Sequence, residues 1–331
     1  MDNTKDYDLN DNDILNTEAS DEISDKKKYI VDIENAGIRI DKFIAGNLSD
    51  LSRTHIQNLI TDQYVLVNNN PVKSNYKLSE KDVITMVIPQ LKEPDIVPED
   101  IPLDILYEDN DIIVVNKGKG MVVHPARGHY SGTLVNALLF HCKDNLSGIN
   151  GITRPGIVHR IDMDTTGAIV VCKNDFAHNN LALQLKEHTI NRKYIAIVHG
   201  NLKDDEGRIE SKIGRALNNR LKMQSGVVNG KEAITNYRVL ERFGMYTYIE
   251  CILETGRTHQ IRVHMSSIGH PLLGDKLYGP EKCPYNLTGQ TLHARILGFN
   301  HPVTNEYMEF EAPIPEYFSH LLEILRNKYS K

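Results

Sequence analysis

The sequence predicts an α+β protein: a mixed, largely antiparallel central sheet with flanking helices, preceded by a small α/β module. Three observations lead there. From Tyr194 onward, strand-like apolar runs at 194–198, 233–240, 246–253 and 261–263 follow one another without intervening helices, which favours a mixed or antiparallel sheet over a doubly wound parallel one. Residues 36–90 carry two helical apolar stripes and then short strands, enough for a minimal separate core. Between the two parts, LKEPDIVPEDIPLD at 91–104 has three prolines and several acids, the composition of an extended linker.

Residues 1–28 are rich in Asp, Asn and Ser with no hydrophobic period, and read as a disordered acidic tail. Order begins with a strand at Lys28-Tyr29-Ile30-Val31, which opens a domain over 29–90. In 39–48, Ile40, Phe43 and Ile44 form a helical stripe. Ser52 suits the N-cap of a second helix, whose apolar face is Ile56, Leu59 and Ile60. A strand at 64–68, a turn at Asn69-Asn70-Pro71 and a strand at 83–88 complete the module. Arg39, Lys42, Arg53 and Lys73 lie off the apolar stripes, either as a solvated face or as a surface for a phosphate backbone.

The larger domain spans 105–327. It begins with a strand at 112–115 and a helix capped by Ser131 that carries Leu134, Leu138 and Leu139. A strand at 168–172 follows, then a helix over 176–188 with Leu181 and Leu185 on one face.

Composition narrows the function. No apolar run approaches the roughly 20 residues that span a bilayer, and the acidic start, MDNTKDYDLNDND, is not a signal peptide. Cys142, Cys172, Cys251 and Cys283 form no CxxC pair, so neither a zinc ribbon nor a disulfide framework is indicated and a reducing, cytoplasmic setting fits. There is no GxGxxG or Walker sequence, so no nucleotide cofactor is signalled. The net charge of −6 is uneven: residues 1–35 hold 11 acids and 4 lysines, and the rest 33 acids and 34 bases. Any polyanion site must therefore come from local clusters of arginine.

Two segments offer such clusters. GIVHRIDMDTTGAIVVCK, 156–173, places Asp162 two residues after Arg160 and just before a β-branched run. An acid at a sheet edge beside an arginine suits chemistry on an anionic substrate, as nucleophile or general base. Equally, Asp162 could serve as a turn or cap residue, or with Asp164 as a metal ligand. The second segment, ETGRTHQIRVH at 254–264, adds Arg257 and Arg262. An arginine fork holds a carboxylate or a phosphate; the bland reading is a surface ion pair. His259 and His264, five apart in a strand, would face opposite ways and share no metal. Tyr194 opens a strand, where it could stack on a base or simply pack in the core.

HRID followed by MDTTG resembles the HRLDxxTSG motif of the RluA/RluD family of pseudouridine synthases. GRTHQIR at 256–262 and HPLLGDKLYG at 270–279 resemble that family's following segments, and NKGKGMVVHPARGHYSGTLVNALL at 116–139 is most similar to the RluD branch. The N-terminal module resembles an S4 RNA-binding domain. The resemblance covers about residues 30–320. Ile161 stands for leucine, Thr166 for serine, and Lys119 where a small residue or proline is expected.

The resemblance implies a pseudouridine synthase fold and isomerisation of uridine in RNA without cofactor or metal. It implies ribosomal RNA of the large subunit as partner, in the loop of its helix 69, and a monomer with no membrane association. By the same resemblance Asp162 is the catalytic aspartate, Arg262 its partner and Tyr194 the base-stacking group. Arg160 enters the space left by the extruded base, and His159 flanks the site with no assigned role. Arg257, Arg39, Lys42 and Arg53 are expected RNA contacts. The alternatives are a paralogue acting on other ribosomal or transfer RNA uridines, an RNA-binding assembly factor without catalysis, and a metal-dependent hydrolase built on Asp162 and Asp164.

Overall fold

The computed structural model describes residues 23–329 apart from 49–50, 52, 90–95, 127, 144, 152–153, 217–218 and 220–221. The chain forms two compact units that divide after Lys92.

The first unit comprises β1 (Ile23–Ile30), α1 (Ile40–Asn47), α2 (Arg53–Thr61), β2 (Val65–Val67), β3 (Asn70–Pro71) and β4 (Val83–Pro89). Its strands pair antiparallel in the order β1-β4-β2-β3. Ile40 and Ile44 of α1 pack with Ile56, Leu59 and Ile60 of α2 against the sheet. The strand β1 begins at Ile23, inside the stretch expected to be tail. An edge strand is held by backbone bonds to one neighbour, here β4, and its lysines keep the edge soluble. No apolar period is required, so none is written in ISDKKKYI. The expected cap, Ser52, lies outside the described residues.

Arg39 and Arg53 are not simply solvated. Both donate to the buried carboxylate of Asp41, Arg39 through Nε and Nη2 at 3.0 Å each and Arg53 through Nη2 at 2.9 Å. Gln57 adds a third donor at 2.8 Å. Burial would raise the Asp41 pKa, but these donors outweigh it and hold it far below the usual range. Lys42 is exposed.

The second unit adds β5 (Ile105–Glu108), β6 (Ile112–Lys117), α3 (Leu134–Cys142), β7 (Thr166–Cys172), α4 (Asp175–Lys186), β8 (Asn191–His199), β9 (Glu206–Arg215), β10 (Met223–Ser225), β11 (Lys231–Arg242) and β12 (Tyr246–Leu253). It ends with α5 (Gln260–Ser267), β13 (Leu292–Asn300), β14 (Tyr307–Glu311) and α6 (Glu316–Tyr329). One ten-stranded sheet runs β10-β9-β11-β12-β8-β13-β7-β6-β5, with β14 paired to β13. Among the described residues only the β13–β7 pairing is parallel, so the sheet is mixed and largely antiparallel.

Side-chain alternation explains the continuous apolar runs. Ile113, Val115, Ile169 and Val171 enter one core, while Ile112, Val114, Ala168 and Val170 enter another on the opposite face. A strand covered on both faces needs apolar residues at every position. In β8, Tyr194, Ala196 and Val198 share the first face with Ile113, and Ile195 and Ile197 face away. Gly167 sits where β7 meets β13, at φ +112°, and a Cβ there would lie 2.2 Å from the Ala294 carbonyl oxygen. The glycine of MDTTG is therefore a packing requirement.

Three expectations change. Residues 261–263 are not a strand but part of α5: the alternation of Ile261 and Val263 with Arg262 mimics a period of two, yet its flanking contacts fold it as a helix. The cap of α3 is Thr133 rather than Ser131, in a reciprocal box with Asn136. The 96–104 part of the expected linker is fastened to the second unit. Asn136 donates to the Val97 carbonyl at 2.8 Å, Glu99 accepts from the Gly132 N–H at 3.0 Å, and Ile96 and Leu103 pack on the core. The elements named from sequence missed β5, β9, β10, β13, β14 and the terminal helix α6. All four cysteines are free. Among the described residues no helix is long and apolar enough to cross a membrane.

Candidate active site

Asp162 lies on the link that enters β7, Tyr194 on β8 and Arg262 on α5. Far apart in sequence, they line one cleft of about 460 Å³, together with His159, Arg160 and Arg257. The sheet presents Tyr194 from the face that α5 covers, and the β7 entry brings Asp162 across from it.

A single guanidinium organises the centre. Arg262 Nη1 donates to Asp162 Oδ2 at 2.9 Å. Its Nε and Nη2 donate to the two oxygens of Asp275 at 2.6 and 2.9 Å, a bidentate fork. The Arg262 side chain is 9% exposed and that of Asp275 1%, so this is a buried pair with one arm reaching the cleft. Burial acts against the Arg262 charge, but its hydrogen bonds to Asp275 and the charge of Asp162 prevail and raise its pKa. Tyr278 underlies the guanidinium at 5.1 Å from ring centroid. Asp275 and Tyr278 both belong to HPLLGDKLYG, where no site residue was predicted. A buried acid within a few residues of an aromatic was the available signal, and pairing with Arg262 was invisible without the fold.

His259 approaches the other carboxylate oxygen: its Nε2 is 3.8 Å from Asp162 Oδ1. The Met223 N–H donates to the Tyr278 hydroxyl at 2.8 Å, and that hydroxyl lies 2.8 Å from His259 Nδ1. This contact orients the imidazole with Nε2 facing Asp162. Burial lowers the His259 pKa. His259 precedes α5 in the left-handed region, at φ +55°, and this turn separates it from His264. The His264 ring is buried between Thr235 and Ser211, a structural histidine.

The motif's remaining residues hold this geometry. Gln260 is fully engaged: Oε1 accepts from the Arg257 N–H and the Thr255 hydroxyl, and Nε2 donates to the Ile234 carbonyl and the Thr235 hydroxyl. It thereby pins the start of α5 to β11. Arg257 donates from Nε to the Glu232 carbonyl at 2.8 Å and lines the cleft. A Cβ at Gly256 would lie 2.5 Å from Arg192 Nη1.

On the Asp162 side, His159 Nε2 accepts the Val170 N–H at 3.1 Å, tying the link to β7. Burial pushes its pKa down to about 3. Lys117 donates from Nζ to the carbonyls of Gly118, Met121 and Met163 at 2.8, 2.8 and 2.9 Å, which fixes the residue after Asp162. Burial draws its pKa down to about 7, against the pull of Asp164 and Asp162. Thr166 uses its hydroxyl on His293 Nδ1 at 2.8 Å, so either serine or threonine serves there. Lys119 stacks over the Tyr317 ring at 4.1 Å. Arg160 donates to His124 Nε2 at 3.4 Å. Burial pushes the Tyr194 phenol up in pKa, keeping it neutral.

Among the described residues, the groups whose ligand atoms converge are Glu108, His141 and Cys142, and Asp109, Asp111 and His301; neither includes Asp162.

Comparisons with known proteins identify the family. Residues 111–267 match the RNA pseudouridylate synthase family and 38–84 the S4 domain. An uncharacterized RNA pseudouridine synthase of Bacillus subtilis is 54% identical, over 88% of this chain and 96% of that protein. The ribosomal large subunit pseudouridine synthase D of Zymomonas mobilis is 45% identical over 88% and 95%, and that of Neisseria meningitidis serogroup A 43% over 98% and 88%. The solved structure of human RNA pseudouridylate synthase domain containing 1 superposes with a TM-score of 0.52 at 25% identity, over 69% of this chain and 96% of that one. The chain belongs to the RNA pseudouridylate synthase family and is an isomerase that acts on RNA.

Proposed function

We propose that this protein isomerises specific uridines of large-subunit ribosomal RNA, with Asp162 as the reacting group. The target is supported by the relatives named ribosomal large subunit pseudouridine synthase D. The observation that carries the assignment of Asp162 is its carboxylate in the cleft, 2.9 Å from Arg262 and beside Tyr194.

In the reaction the N1–C1′ bond of uridine breaks, the uracil turns, and a C5–C1′ bond forms; C5 gives up its proton and N1 gains one. Asp162 starts this by attacking C1′ or by taking the 2′ proton. Arg262 offsets the cost of enclosing a carboxylate and fixes its direction. The uridine must leave its stack, at a cost of about a few kcal/mol. Arg160, at the cleft wall, enters the gap, and Tyr194 covers the base so that free uracil stays in place. Its neutral phenol and apolar surroundings suit a π-face better than a charge. His159 acts by holding the Asp162 link, and Arg257 contacts the strand. In the N-terminal unit, Asp41 holds Arg39 and Arg53 side by side through their Nε and Nη2 groups, which leaves their other N–H groups for phosphates, with Lys42 exposed nearby.

The test maps pseudouridine by carbodiimide adducts in ribosomal RNA from cells with and without the protein, then adds purified enzyme back. Loss of defined sites, restored by wild type but not by Asp162→Asn, is expected; the variant should still bind the RNA, because amide and carboxylate are nearly isosteric. Wild-type turnover by Asp162→Asn would discard the assignment. An unchanged ribosomal map would discard the ribosomal target.

A further inference from the structure

Beside the main cleft is a second cavity of about 360 Å³, lined by His124, Asn150, Arg154, Ile157 and Arg160. Val158, His159 and Arg160 line both cavities and so form the wall between them. Arg154 belongs to no motif picked out in the sequence.

The charges in this second cavity are unbalanced. Neither Arg154 nor Arg160 forms an ion pair with a carboxylate among the described residues. Burial weakens the charge of Arg160, Asp162 supports it from the other side and Arg154 opposes it, and both arginines act on His124. His124 offers no compensation: burial, then the two arginines, holds it neutral, with a pKa of about 4. Its Nε2 accepts from Arg160, which places the imidazole proton on Nδ1, a buried nitrogen with no partner. Both arginines are exposed and hydrated, and among the described residues no carboxylate lines the hollow, so an anion that displaces this water meets two cations at once.

The frame around them is built. The Asn150 amide donates to the Ile157 carbonyl at 2.8 Å. Gly156 donates to the Ser147 carbonyl at 2.7 Å and accepts from Cys172 at 2.9 Å. A Cβ on Gly156, which has φ +70°, would meet the Cys172 carbonyl oxygen at 2.5 Å. Arg160 thus sits on a link clamped to β7, and its guanidinium is tethered through His124.

We propose that the second cavity receives a phosphodiester group of the substrate RNA, next to the target uridine, with Arg154 and Arg160 on its non-bridging oxygens. This rests on the RNA-isomerase reading and adds a subsite to it. The two cavities share one wall, so a strand whose base enters the first carries its adjoining phosphate towards the second. Gripping that phosphate fixes the strand while the base is out of its stack, and it gives Arg160 a partner on the side away from Asp162.

The experiment uses the full chain and a stem–loop RNA containing the target uridine, with each phosphate within a few nucleotides of it replaced in turn by a neutral methylphosphonate. Dissociation constants are measured for wild type, Arg154→Ala and Arg154→Lys. One position should weaken wild-type binding by about tenfold, the scale of a hydrogen bond to a charged group. At that same position Arg154→Ala should lose less than about twofold more, as for two changes that remove one interaction. Arg154→Lys should retain most of the affinity, because charge is kept and only the fork is lost. Arg154→Ala binding as wild type does, or every methylphosphonate costing wild type and variant the same factor, overturns the proposal. Coupling at one phosphate in an RNA that wild type binds but never isomerises would leave the subsite standing and remove the choice of substrate. Arg154 is exposed, so its replacement leaves the core intact.

Discussion

Asp275→Asn separates the geometry of the centre from its chemistry, because Asp275 points at Arg262 and not into the cleft. The wild-type carboxylate takes two N–H bonds from Arg262, at 2.6 and 2.9 Å, and its Oδ1 also accepts from the Leu277 and Tyr278 N–H groups. Removing one partner of a buried ion pair outright costs about 3–5 kcal/mol. The amide keeps one acceptor oxygen, and Asp162 still binds the guanidinium. The loss should therefore be nearer one charge-assisted hydrogen bond, about 1.5–3 kcal/mol. It should appear as a lower urea midpoint at an unchanged slope. With its fork gone, Arg262 is free to rotate and Asp162 loses its fixed direction. Displacement by about 1 Å can cost on the order of 100-fold in rate. Single-turnover pseudouridine formation on a saturating stem–loop should accordingly fall by about 10- to 100-fold, whereas RNA affinity should change little, since Asp275 is buried. A variant that loses the expected stability yet isomerises at the wild-type rate would refute the positioning role and leave Asp275 as a structural acid only.

Two further outcomes follow from buried groups. His264 and His293 are fully buried, and burial holds both at a pKa of about 4, below the roughly 6.5 of an unfolded histidine. Above about pH 6.5 neither state is protonated and stability is full; as pH falls towards 4 only the unfolded chain takes up the protons, so stability drops by up to about 1.4 kcal/mol per pH unit for each histidine. Urea midpoints at pH 7 and 5 measure this, and a smaller acid loss is expected in His264→Gln; equal midpoints at the two pH values would contradict it. Gly167→Ala should destabilise by about 2–5 kcal/mol through backbone strain and the clash with Ala294, and thermal unfolding close to wild type would show that β7 and β13 can separate freely.

Much of the site could be read in the chain because its residues are bound to their motifs by local geometry. Asp162 follows its link into a β-branched strand, Gly167 is a glycine for want of room, and Gln260 caps its own turn. Each residue keeps a fixed place within its motif, so the motif stays recoverable even where the contact it serves, as for Gly167 against Ala294, lies far along the chain. The α+β class was also legible, since strands covered on both faces must be apolar throughout, as β6 and β7 are. What failed was local ambiguity: Ile261 to Val263 carries a strand-like alternation but folds as helix, and β1 is a polar strand held by β4 alone.

By itself the sequence determined the two-part organisation, the sheet-based class and the cluster of Asp162, Arg262 and Tyr194 as candidates. Only the tertiary structure decided that Arg262 is shared between Asp162 and Asp275, that Asp41 gathers Arg39 and Arg53, and that Arg154 meets Arg160 across a hollow. Those pairings link groups through space rather than along the chain, and a burial cost that is settled by a distant partner leaves no mark in the spacing of either residue.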